Sequence, residues 1–270
     1  MTEPAAVPTP DDGGSPTIVL IHGAWAGTWV WDRLLEPLDL AGMRPLPVRL
    51  PGVGPTLDRP ASLGEVVDEV LRQIDDVDGP LLLVGHSGGG VVATQVAERI
   101  SERVCGVAYI AGMMLPSDWN FGDLCDAAGL PAPVGIAAFL TVSDDGETTS
   151  VPPEAAASVF FQKADPADAI AASRSLCPQR ESGRLIAPHW TAERFGRIPR
   201  LYVEATDDRS VPVAAQRRMQ QLVPGAEVIT LGSDHAPQLS EPASVVRAIT
   251  ELARKATATW RHQDRNALTE

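Results

Sequence analysis

Leu81-Leu82-Leu83-Val84-Gly85-His86-Ser87-Gly88-Gly89-Gly90 decides how this chain folds. Four consecutive apolar residues read as a strand covered on both faces, the mark of a parallel sheet. Gly-x-Ser-x-Gly follows without a spacer, and a helix-forming run over 89–103 follows that. Such an order sets a serine at the tip of a sharp strand-to-helix turn, with its hydroxyl free to attack a carbonyl. Gly85 and Gly89 leave room where a side chain would collide with the turn. Gly88 offers its N–H at the helix N-terminus, where developing negative charge is favoured.

Working outward, strands and helices alternate. Thr17-Ile18-Val19-Leu20-Ile21 is a second continuous apolar strand, followed by a helix over 29–41 and a strand over 44–50 that ends in Pro51-Gly52-Val53-Gly54-Pro55. Leu63, Val66, Val67, Val70, Leu71 and Ile74 recur at i, i+3, i+4, i+7, i+8 and i+11, one buried helical stripe. A further strand is expected over 106–111. The rhythm then breaks: residues 114–198 read as an inserted helical cap, because so long a stretch without structure is uncommon in a compact domain. Its helices are expected around 132–140, 153–162 and 166–176. Alternation resumes with a strand over 200–205, a helix after Pro212, a strand over 227–231 and an amphipathic helix over 243–255. Residues 16–113 and 199–255 thus form one α/β core. Residues 1–15 are expected to be a flexible tail, and 256–270 a frayed polar one.

Composition narrows the partners. The chain has 270 residues and a formal net charge of −13, which opposes binding to nucleic acid phosphates. No apolar run approaches the roughly 20 residues that span a bilayer, and the acidic, Pro-rich start lacks the pattern of a secretion signal. Cys105, Cys125 and Cys177 have neither CxxC nor metal-ligand spacing, so reduced thiols, a cytoplasmic location and no metal are expected. No Gly-Lys-Ser/Thr follows Gly88-Gly89-Gly90, and no Gly-x-Gly-x-x-Gly follows the first strand, which disfavours a nucleotide.

An activated serine needs a base and a group that orients the base. Of the five histidines, His22 ends the first strand, His86 should point away from Ser87, His189 lies in the cap and His262 in the tail. His235, in Gly232-Ser233-Asp234-His235-Ala236-Pro237, follows the last strand at the carboxyl end of the sheet, where active groups of open α/β sheets gather. The acid should follow the preceding strand, in Thr206-Asp207-Asp208-Arg209-Ser210-Val211-Pro212, and residue chemistry leaves Asp207 and Asp208 both open. A second oxyanion donor should come from the small-residue loop His22-Gly23-Ala24-Trp25-Ala26-Gly27.

These stretches resemble the α/β-hydrolase superfamily, and within it the branch of plant methylesterases, hydroxynitrile lyases and related bacterial esterases. Phe160-Phe161-Gln162-Lys163-Ala164-Asp165 and Leu176-Cys177-Pro178-Gln179 resemble that branch's cap. The resemblance implies the α/β-hydrolase fold, a mostly parallel sheet flanked by helices with an inserted helical cap. Its Asp-x-x-x-Pro spacing matches Asp208 with Pro212, which implies the triad Ser87, His235 and Asp208. It also implies the amides of Ala24 and Gly88 as oxyanion donors. Lyase members carry threonine at the position of Gly23 and lysine at that of Ala236, so hydrolysis is expected instead.

The expected activity is cofactor-independent hydrolysis of a small-to-medium apolar carboxylic ester. Lactone or amide cleavage is the alternative on the same groups, and a lyase or ligand receptor the alternative of another class. Trp25, His86, Trp119, Phe160 and Phe161 are the expected pocket residues, with Phe121 and Leu140 as further walls. The expected partner is a small-molecule ester, with neither nucleic acid nor membrane, and a homodimer is the assembly considered.

Overall fold

The computed structural model describes residues 15–59 and 61–267, so the tail expected over 1–15 falls almost wholly outside the described residues. In the first half of the core the chain runs β1 (Thr17–Ile21), α1 (Asp32–Leu40), β2 (Arg44–Val48), α2 (Leu63–Gln73), β3 (Leu81–His86), α3 (Gly89–Arg99) and β4 (Val104–Ile110). Next come α4 (Phe121–Ala127), β5 (Thr141–Val142), β6 (Thr148–Ser150), α5 (Pro153–Val159), α6 (Pro166–Ser175) and β7 (Gln179–Arg180). The core resumes with β8 (Arg200–Ala205), α7 (Val213–Leu222), β9 (Ala226–Leu231), α8 (Pro237–Ser240) and α9 (Pro242–Ala267).

Strands β2-β1-β3-β4-β8-β9 form a six-stranded sheet in which every neighbouring pair is parallel. Every residue of β1, β3 and β4 is buried, which is why those segments are apolar throughout and do not alternate. Helices cover both faces. Val66, Val67, Val70 and Ile74 of the α2 stripe pack with α3 and α7 on one side, and Leu34, Leu38, Val245 and Ile249 join α1 to α9 on the other. Helix α2 starts at a capping box, the Ser62 hydroxyl accepting from Glu65 N–H while the Glu65 carboxylate accepts from Ser62 N–H at 2.9 Å. At the sheet's edge, β2 carries Pro45 and Pro47, which have no N–H to donate to a further strand.

Two expectations change. The insertion is not purely helical: β5, β6 and β7 form a small antiparallel sheet, with Thr141 opposite Ser150 and Thr149 opposite Gln179. Of the three helices expected there, the first is a short 3-10 turn, Gly135–Phe139, because Pro131 and Pro133 precede it and Gly135 has φ +58°. The last helix does not stop at Lys255 but continues to Ala267. No glycine or proline lies beyond Pro242 to end it, and Ala256 and Thr257 are buried on the core. Among the described residues no helix is long and apolar enough to cross a membrane.

Candidate active site

Ser87 stands at the junction of β3 and α3 with φ +50°, a left-handed conformation that costs a residue with a Cβ about 1–3 kcal/mol. Close packing holds it there. A Cβ on Gly85 would lie 2.6 Å from Gly89 O, and one on Gly89 would lie 2.4 Å from Ile21 O, so neither glycine tolerates a side chain. The Ser87 carbonyl accepts from Gly90 N–H at 3.0 Å and from Met113 N–H at 2.8 Å, which ties the turn to the segment after β4.

His235 lies in the loop between β9 and α8, and is buried. Its Nδ1–H donates to Asp208 Oδ2 at 2.8 Å, leaving the Nε2 lone pair for a proton from elsewhere. Asp208 Oδ1 accepts from Ser210 N–H at 2.7 Å and Val211 N–H at 2.8 Å, and Gln216 Nε2 approaches Oδ2 at 3.4 Å. The carboxylate therefore has a fixed orientation. Asp207, the other residue the sequence leaves open, is exposed and pairs with Lys163.

The remaining buried histidines stay neutral. Burial pushes His86 down to about 3, helped by the nearby His235, and its Nε2–H donates to the His235 carbonyl at 2.8 Å. Burial likewise holds His22 at about 4, with its Nδ1–H on Gly23 O at 2.9 Å. His86 thus bears on the histidine loop through the main chain of His235, its ring 5.0 Å from that of His235.

Ala24 and Gly88 come together beside Ser87. A Cβ on Gly88 would lie 4.0 Å from Ala24 N, and neither amide has a protein acceptor among the described residues. Two unengaged N–H groups flanking a serine form a place for developing negative charge. Gly23 makes the approach feasible, since a Cβ there would stand 2.8 Å from Ser87 Cβ and 3.0 Å from His86 O.

Above these groups lies a cavity of about 530 Å³ that Ser87 and His235 both line. Trp25, His86, Phe121, Phe160 and Phe161 line it too, whereas Trp119 and Leu140, also expected there, do not. Asn120 caps α4, its Oδ1 accepting from Gly122 N–H at 2.7 Å and Asp123 N–H at 3.1 Å. The chain turns at that cap, so Phe121 reaches the cavity and Trp119 is left in the preceding turn. Phe160 stacks between Trp25 (6.4 Å between ring centroids) and His235 (5.0 Å), which screens the histidine from water.

Several residues that position this site escape a reading of the sequence. Gln216, buried within α7, has its Oε1 on Ala205 N–H at 2.9 Å and its Nε2 on Val211 O at 2.8 Å. Asp234, fully buried, accepts from Lys163 N–H at 2.8 Å, Ser240 Oγ–H at 2.8 Å and Ala236 N–H at 3.2 Å, joining cap and histidine loop. Gln216 belongs to no motif, and Asp234, although it stands in the histidine-loop motif, has nothing in the sequence to show that it reaches the insertion.

A profile of the alpha/beta hydrolase family matches residues 18–248. The chain is 28% identical over 251 residues to salicylic acid-binding protein 2 of Nicotiana tabacum, covering 88% of this chain and 96% of that protein. It is 25% identical over 247 residues to putative methylesterase 14, chloroplastic, of Arabidopsis thaliana, covering 87% of this chain and 71% of that one. Among solved structures, a pyrethroid hydrolase from Sphingobium faniae superposes with a TM-score of 0.78 at 25% identity, covering 88% of this chain and 97% of that one.

Proposed function

This chain belongs to the alpha/beta hydrolase family, and from that premise we propose that it hydrolyses apolar carboxylic esters without a cofactor, through Ser87, His235 and Asp208. The observation that carries the proposal is the 2.8 Å bond from His235 Nδ1–H to Asp208, in the cavity above a serine held at φ +50°. The names of its relatives, a methylesterase and a pyrethroid hydrolase, support cleavage of this kind.

The steps follow from where the groups stand. Ser87 Oγ attacks the acyl carbon as its proton passes to His235 Nε2. The carbonyl oxygen takes the electron pair and is held by the amides of Ala24 and Gly88. On collapse the C–O bond to the alcohol breaks, and the His235 proton leaves with the alkoxide. Water then gives a proton to His235, attacks the acyl group and releases the acid, which restores Ser87. Asp208 keeps the imidazole in one tautomer and stabilises the imidazolium in between.

The cavity favours neutral acyl and alcohol groups. Its walls are largely aromatic and aliphatic, and Arg184, the one cationic side chain among the described residues that line it, is engaged by Glu181 through two hydrogen bonds (Nε at 2.7 Å, Nη2 at 2.5 Å). The lyase alternative lacks its polar groups: Ala236 is buried, and the space at Gly23 is closed by Ser87. Steady-state hydrolysis of p-nitrophenyl esters of rising acyl length tests the proposal. Ser87→Ala is expected to lower kcat by roughly 10⁴–10⁶-fold while the melting temperature holds. Hydrolysis that survives the substitution would remove Ser87 from the reaction.

A further inference from the structure

Trp25 follows the oxyanion donor Ala24 directly and holds φ +57°, a conformation that a bulky aromatic residue does not keep unaided. Each of its three polar groups is taken by the insertion. Its N–H donates to Gln179 Oε1 at 2.6 Å, its indole Nε1–H donates to Thr149 Oγ at 3.1 Å, and its carbonyl accepts from Cys177 N–H at 2.8 Å. Gln179 and Thr149 are direct cross-strand neighbours in the small sheet, and all three residues are buried. Thr149 is itself fixed, its hydroxyl donating to Glu181 Oε1 at 2.6 Å, while the Glu181 carboxylate also takes the Arg184 guanidinium that lies 5.7 Å from the centre of the Trp25 ring.

We propose that the cross-strand pair Gln179–Thr149 sets the geometry of the oxyanion hole by gripping Trp25, so that the inserted sheet is a catalytic clamp as well as a wall of the pocket. The physical reason lies in the peptide plane between Ala24 and Trp25. Gln179 fixes the nitrogen end of that plane. Losing this acceptor releases Ala24 ψ and Trp25 φ, and Ala24, whose own N–H lies in the preceding plane, is then free to shift from the position that faces the oxyanion. Preorganised donors act because they need no rearrangement when charge appears, and a misplacement near 1 Å costs on the order of 10²-fold in rate. Gln179 and Thr149 are thus positioning residues, acting through Trp25 and Ala24. This inference rests on the reading of Ala24 as an oxyanion donor.

The test pairs kinetics with an inhibitor that needs the oxyanion hole. Hydrolysis of p-nitrophenyl acetate and inhibition by an alkyl trifluoromethyl ketone, which forms a charged hemiketal on Ser87, are measured for wild type, Gln179→Leu, Gln179→Glu and Thr149→Val. Gln179→Leu is expected to lower kcat by about 10–100-fold with KM within about 3-fold, and to weaken the ketone by a similar factor. The corresponding methyl ketone, which gains little from the hole, should bind as before. Gln179→Glu keeps the acceptor oxygen and should restore most of the rate, and Thr149→Val should give a smaller loss of the same kind. A folded Gln179→Leu with wild-type kcat and ketone affinity would overturn the proposal; if that variant does not fold, Thr149→Val decides by the same readout. Wild-type hydrolysis that Ser87→Ala leaves intact would instead strike at the reading of the site, and take this inference with it.

Discussion

A hydroxyl becomes a nucleophile when a base, an acid that orients the base and a place for negative charge surround it, and at the scale of single residues these roles divide cleanly. The sequence points to Ser87 through its Gly-x-Ser-x-Gly turn and to His235 through its place after the last strand, at the sheet's carboxyl end. Asp207 and Asp208 follow the same strand one residue apart, so position could not separate them. The Asp-x-x-x-Pro spacing of the resemblance points to Asp208, and in the structure the Ser210 and Val211 amides and the Gln216 side chain hold its carboxylate inward. Asp208→Asn is expected to lower kcat on the order of 10³–10⁴-fold, because the amide favours the wrong imidazole tautomer. Asp207→Asn, at an exposed ion pair, should stay within about 2-fold; kinetics on one ester compares the two. Gly23→Ala should depress kcat as well, since its Cβ would press on Ser87 Cβ from 2.8 Å.

At the scale of elements, the core strands were legible and the insertion was not. Long apolar runs such as β1 and β3 carry their own signal, whereas β5, β6 and β7 are two or three residues each, too short for any periodicity. The turn at Asp145-Gly146, with Gly146 at φ +73°, marks the hairpin between β5 and β6 between β-branched neighbours. Elements also differ in what they hold. Removing the α2 cap with Ser62→Ala should cost about 1 kcal/mol in a denaturant titration and leave kcat nearly unchanged, because Ser62 itself does not line the cavity and Val66, one turn on, stays packed in the core. Asp234→Ala should cost about 1–3 kcal/mol, leaving a buried donor on Ala236 and a partly buried one on Lys163 unpaired, and should lower kcat by loosening the histidine loop. That paired result distinguishes a joint between insertion and core from an ordinary helix cap.

For the whole molecule, the two neutral histidines predict how stability answers to pH. His22 and His86 are held at about 4 and about 3 by burial, against an ordinary value of 6.5. The unfolded chain therefore binds protons that the folded chain refuses, so stability is intact above about pH 6.5 and falls as pH drops towards 4. Each histidine contributes about 1.4 kcal/mol per pH unit inside that window. The exposed His189–Asp118 pair acts in the opposite sense and is screened by solvent. Calorimetry at pH 5 should show about two protons taken up by these histidines on unfolding, besides those taken by carboxylates that ion pairs and hydrogen bonds hold low, Glu69, Glu98, Glu181 and Glu204, and a flat profile between pH 6.5 and 4 would contradict the neutral assignment. In the proposed mechanism these neutral rings take no part as bases, and His235, bonded to Asp208, acts on Ser87. The most direct test of that arrangement is the intact mass of the protein after exposure to a fluorophosphonate, with the labelled peptide sequenced. One adduct on Ser87, lost in Ser87→Ala and slowed in Asp208→Asn, is predicted; an adduct elsewhere, or none while ester hydrolysis continues, would contradict it.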